Sequence, residues 1–195
     1  MLIDQVIQRW QRRSGQHRFY SIMCKFKIKM KTYVLTLSQH FPATHPRKGQ
    51  PTHFKHQLIN ALKMDKEDVP IYGVPHRGMP NERLGRKLHT IRANHPLWAK
   101  RFGQINRGEA CLSIRQWTGK PYASKQVEIA RLTKEDGIGI QRLDLKETDY
   151  ISMIHHSKIY ANNDGLSRRE WIDWFKDYDL SQPMAIIHFT KFRYR

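Results

Sequence analysis

Apolar and polar positions switch period several times along the chain. Lys31-Thr32-Tyr33-Val34-Leu35-Thr36-Leu37 is rich in β-branched and aromatic residues and predicts an opening strand. Residues 39–53, with Pro42, Pro46, Pro51 and Gly49, predict a long ordered loop or a site lid. Phe54, Leu58, Ile59 and Leu62 then recur at helical spacing, and a second loop over 70–86 carries Pro70, Gly73, Pro75, Gly78, Pro80 and Gly85. A short strand over Lys87 to Arg92 follows. Pro96 suits the first turn of a helix that places Trp98, Phe102 and Ile105 on one face and stops at Gly108. The stretches 110–117, 126–132 and 137–145 predict three strands in an antiparallel meander. Residues 149–160 predict a helix, and Asn162-Asn163-Asp164-Gly165 turns the chain. Ser167 and Glu170 form a capping box for a helix bearing Trp171, Ile172, Trp174 and Phe175, and 184–194 closes as a strand. Many strands with few helices predict an α+β fold, a small mostly antiparallel β-barrel with flanking helices.

Residues 1–29 stand apart. Arg9, Arg12, Arg13, Arg18, Lys25, Lys27 and Lys29 face one acid, Asp4, and only Ile3, Val6, Ile7 and Trp10 suggest a short amphipathic helix. Met30 directly precedes the first strand, so the segment reads either as a basic extension or as a start assigned upstream of Met30. The domain is expected over 30–195. With 35 lysines and arginines against 17 acids the chain carries +18, and removing the leader's +6 leaves +12 on 166 residues. That excess predicts a polyanionic partner. Cys24 and Cys111 are too few for a disulfide framework, and no secretory leader opens the chain, which predicts a cytoplasmic protein. No apolar run approaches the ~18–20 residues that span a bilayer, so no membrane partner is expected.

Two clusters carry candidate chemistry. In the first, Lys87 suits phosphate, Arg92 suits a planar anion or a base edge, and Thr90 supplies a hydroxyl between them. Thr90 and Arg92 share one face of a strand, and Lys87 joins them only from the Gly85-containing turn before it. In the second, Arg115, Trp117, Lys120, Tyr122 and Lys125 combine rings for base stacking with cations for phosphates. The competing reading makes Trp117 and Tyr122 packed rim residues. His53 and His56 lie one helical turn apart with no third ligand at a recognisable interval, and His155-His156 diverge, so neither a metal nor another cofactor is expected. Phosphate-binding glycine loops and nucleophile elbows are absent from the sequence.

Gly85-Arg86-Lys87-Leu88-His89-Thr90-Ile91-Arg92 resembles the Gly-x-Lys-x-x-Thr-Ile-Arg signature of the ASCH domain family, a branch of the PUA-like superfold. Gly119-Lys120-Pro121-Tyr122, the Asn-Asp-Gly-Leu-Ser turn before the Trp-rich helix and the final strand extend the resemblance from Met30 to the end. It implies a pseudo-barrel whose cleft accepts RNA or a modified nucleoside. Some small members are N4-acetylcytidine amidohydrolases, which makes amide hydrolysis an alternative to binding alone. In that chemistry Lys87 would act as base, Thr90 as nucleophile or water-orienting hydroxyl, and Arg92 as partner of the developing oxyanion. The family's enzymes also use a glutamate, for which the sequence offers Glu128 or Asp164 without choosing between them. A third reading is a module whose basic face docks an acidic protein.

Overall fold

Local signals set most element boundaries. The structure, a computed structural model, describes residues 30–66, 85–144 and 150–195. These fall within the unit Lys31–Arg195, apart from Met30. The elements run β1 (Lys31–Thr36), α1 (Phe54–Lys66), β2 (His89–Arg92), α2 (His95–Asn106), β3 (Ala110–Trp117), β4 (Gln126–Leu132), a 3-10 turn (Lys134–Asp136), β5 (Gly139–Leu143), α3 (Tyr150–Asn163), α4 (Arg168–Phe175) and β6 (Met184–His188). Asn94 opens α2 by accepting from the Leu97 amide at 3.1 Å, with Pro96 in the first turn, and Gly108 leaves it at φ +76°. Ser167 and Glu170 cap α4 reciprocally, at 3.3 and 2.8 Å. The expected extension 1–29, Cys24 and most of the loop 70–86 lie outside the described residues.

The chain is α+β, with two three-stranded sheets ordered β1-β3-β4 and β2-β6-β5. Three of the four strand pairings are antiparallel and β1 runs parallel to β3. Two expectations are corrected. Among the described residues the strands do not close into a barrel, and the meander is broken because β5 leaves β4 for β6. The reason lies in the 3-10 turn and in Gly137, whose φ of +71° redirects the chain. Beyond it Arg193 donates to the Gly137 carbonyl at 2.8 Å, and a Cβ on Gly139 would fall 2.0 Å from the Arg193 guanidinium. β5 is thus fitted against the C-terminal segment instead of β4.

Every residue of β6 is buried, as suits a central strand covered on both faces. Leu35, Leu37, Ile91, Phe102, Ile114 and Trp171 belong to one core. Each such side chain contributes about 1.5–3 kcal/mol by leaving water. The segment before β2 is tied in by its backbone: Lys87 N donates to Gln57 O (3.1 Å), Leu88 N to Asn163 O (2.8 Å), and Phe189 N to Leu88 O (2.8 Å). α1, the end of α3 and the segment after β6 therefore converge on it.

Candidate functional site

Lys87 sits in the turn ahead of β2, where a joint site with Thr90 and Arg92 requires it. Its side chain is 1% exposed. The ammonium donates to the Asp164 carboxylate and to the Asp164 backbone carbonyl, and lies 3.8 Å from the centre of the Phe54 ring. The turn after α3 presents Asp164, with Gly165 at φ +79° packed so closely that a Cβ there would lie 1.9 Å from Gln57 Oε1. Burial lowers the Lys87 pKa to about 8 against the opposing pull of Asp164, and burial raises Asp164. The ammonium is thus held inside the protein instead of offered at the surface.

Thr90 is buried on β2 opposite Ile187. Arg92 is half-buried, with its guanidinium desolvated, which lowers its pKa. The sequence suggests that Arg92 faces an anion, but its Nη2 donates to Thr36 O at 2.7 Å and its Nη1 to Ile91 O at 3.1 Å. It bridges the end of β1 to β2. Lys87, Thr90, Arg92 and Asp164 nevertheless line one small space, together with Ser38 and Trp174. Its volume is about 10 Å³, near the lower limit of ~10–15 Å³ for a single water and far too small for a nucleobase.

Beside it opens a cleft of about 1050 Å³, of the order of small-ligand sites. Leu166 lines both spaces, and Arg86 and Leu88, on either side of Lys87 in sequence, line the cleft. Arg47, Lys63 and Arg86 give it three cations against Glu170, which is itself paired with Arg47. Among the described residues Gln57 Oε1 and Arg86 Nη1 are buried without a hydrogen-bond partner. The sequence pointed to neither the cleft cations nor Gln57, and it offered Asp164 only as a carboxylate in the Asn-Asn-Asp-Gly turn that no motif fixed.

The second cluster lies elsewhere. None of Arg115, Trp117, Lys120, Tyr122 and Lys125 lines either space. Arg115 donates to Ser113 Oγ at 2.8 Å and stands 3.9 Å from Glu128, which also binds Arg131 at 2.8 Å and accepts from Ser113 at 2.5 Å. Those donors hold the Glu128 carboxyl below its ordinary range. Of the two carboxylates left open by the sequence, Asp164 adjoins Lys87 and Glu128 belongs to the β3–β4 face. Tyr122 packs its ring 5.4 Å from that of Trp117, tilted by 53°.

A third polar group escaped sequence reasoning. His89 and His188 are cross-strand neighbours, and His89 Nε2 meets the Tyr194 hydroxyl at 2.7 Å, which Asn163 Nδ2 also reaches at 2.9 Å. Neither ring nitrogen of His188 has a hydrogen-bond partner among the described residues. Burial lowers His188 to about 3 and pushes His89 well down, so both imidazoles are neutral at physiological pH.

His53 and His56 are exposed. Among the described residues no group of three or more His, Cys, Asp or Glu side chains is placed to hold a metal, and no helix is long and apolar enough to cross a membrane. No family model, curated protein or solved structure matches the chain.

Proposed function

We propose that the domain binds RNA or a modified nucleoside in the cleft beside Lys87, as an ASCH-type, PUA-like domain. The observation that carries this reading is the cleft itself, at about 1050 Å³ roomy enough to admit a nucleoside or a short stretch of RNA, rimmed by Arg47, Lys63 and Arg86 and backed by the signature segment. A cationic concavity concentrates anionic ligands, and Arg86, whose buried Nη1 has no hydrogen-bond partner among the described residues, would donate it to a bound oxygen only after a side-chain shift that uncovers it. Lys87 then acts from below the floor by locking the Asp164 turn to β2, and Arg92 by locking β2 to β1.

One observation favours a second reading, hydrolysis of N4-acetylcytidine: Asp164 meets Lys87 in the same space as Thr90 and Arg92. In that reaction a water oxygen bonds to the acyl carbon while Thr90 orients it and Arg92 faces the oxyanion. The carbon–N4 bond breaks, and the Lys87–Asp164 pair carries the water's proton to the departing amine. This route requires the small space to widen when substrate enters.

The test is a panel of cytidine, N4-acetylcytidine and single-stranded RNA, assayed for binding across a salt series and for acetate release. Binding of a nucleoside or RNA that weakens on Arg47→Glu with Lys63→Glu is the expected result, with a negative salt slope for RNA. Acetate release by wild type that is abolished in an Asp164→Asn variant whose melting curve shows it still folded would establish the second reading. Indifference to every nucleoside and RNA would overturn both and leave an acidic protein as the ligand of the basic face.

A further inference from the structure

The turn joining β3 to β4, residues 118–125, is built more rigidly than its sequence requires. Thr118 N donates to Lys125 O at 2.9 Å, Gly119 N to Ser124 Oγ at 3.0 Å, and Ala123 N and Ser124 N both reach Lys120 O, at 3.2 and 3.0 Å. At its tip Tyr122 adopts φ +64°, the left-handed region. A non-glycine residue is disfavoured there, and bulky side chains are outliers. Burial does not offset that cost, because Tyr122 is 92% exposed. Folding therefore gives no reason for a tyrosine where glycine or asparagine would be favoured. Its ring is braced by Trp117 on one side and open to water elsewhere. Lys120 and Lys125 flank it, both exposed, and no acidic residue occurs from Thr118 to Lys125. Glu128, the nearest carboxylate along β4, is committed to Ser113 and Arg131.

We infer that this turn is a second nucleic-acid contact, in which Tyr122 stacks one unpaired base and Lys120 and Lys125 neutralise the adjoining phosphates. The ring and its support are already fixed, so little ordering cost remains at binding. A single strand is the matching ligand, because base faces are covered in a duplex. Neither the ring nor the lysines belong to the cleft, so the inference does not rest on the reading given for it.

The experiment measures a labelled oligouridylate by fluorescence anisotropy against wild type, Tyr122→Gly, Tyr122→Phe and the Lys120→Gln/Lys125→Gln double variant, with an RNA duplex and oligoglutamate as competitors. Glycine relieves the left-handed backbone, so Tyr122→Gly removes the ring without endangering the fold. The expected result is a loss of about tenfold for Tyr122→Gly, near-complete rescue in Tyr122→Phe, and a salt slope shallower by about 1.4 in the lysine variant. Wild-type affinity in Tyr122→Gly overturns the proposal, as does duplex competing as well as oligouridylate. Oligoglutamate binding that depends on Tyr122 overturns it in favour of a protein partner. Failure of wild type to bind oligouridylate also overturns it, while cytidine or N4-acetylcytidine binding, measured in parallel, judges the cleft separately.

Discussion

On the β1–β3–β4 sheet Glu128 shares its carboxylate with Arg131, Arg115 and Ser113 where water still reaches all the charged groups. Beside the β2–β6–β5 sheet Lys87 and Asp164 meet with side chains only 1% and 5% exposed. The two clusters use the same chemistry and have opposite energetics. Exposed pairs are screened and each is worth about 0–1 kcal/mol, so their loss is tolerated. A buried pair adds little over an apolar substitute, yet removing one member strands a charge and costs about 3–5 kcal/mol. Charge on the first sheet is free to serve the surface, whereas charge on the second commits the fold.

The sharpest way to break this contrast is Lys87→Met. Leaving Asp164 buried alone should lower stability by about 3–5 kcal/mol, a fall of roughly 6–20 °C in melting temperature at this chain length. Lys87→Met with Asp164→Leu should recover much of the loss. A single variant that melts within a few degrees of wild type would mean that water reaches the pair, and the contrast would collapse.

Acid titration probes the same sheet through His188. Its folded pKa of about 3 lies below the unfolded value of 6.5, so between them the unfolded chain binds more protons. Stability therefore falls as pH drops through that window, by at most about 1.4 kcal/mol per unit from this imidazole. Denaturant midpoints from pH 7 to 4 should show the decline, and His188→Phe should flatten it. An unchanged slope in that variant would assign the acid sensitivity to other groups.

The smallest effect belongs to the open sheet. Glu128→Gln should cost less than about 1 kcal/mol, and the difference should shrink in molar salt. A larger, salt-independent loss in chemical denaturation would give this face the same structural weight as the buried pair.

Features that depend on neighbours in sequence were legible. The strand after Met30, the proline-started α2 and the Ser167–Glu170 cap are each decided within a few residues. The Gly85 turn likewise allowed Lys87 to join Thr90. Partner choice was not legible, because it is a property of packed faces. β5 follows β4 by a short turn yet pairs with β6, and Lys87 finds its carboxylate 77 positions away. Alternation put Arg92 beside Thr90, but it could not foretell that the Thr36 carbonyl would take the guanidinium. The cleft cations went unseen because Arg47, Lys63 and Arg86 come from three separate segments, and Arg86 fills a variable position of the signature, so no motif singled any of them out.

The position of β6 between β2 and β5 has a consequence for the nascent chain. Translation delivers the central strand of that sheet after both of its neighbours, and 91 residues separate Arg92 from Met184. At ~5–20 residues per second β2 waits roughly 5–20 s for β6, its partner among the described residues. During that interval its edges are open to chaperones or to other chains. A message cut short before Met184 would yield a product unable to assemble this half of the protein, a ready target for proteolysis.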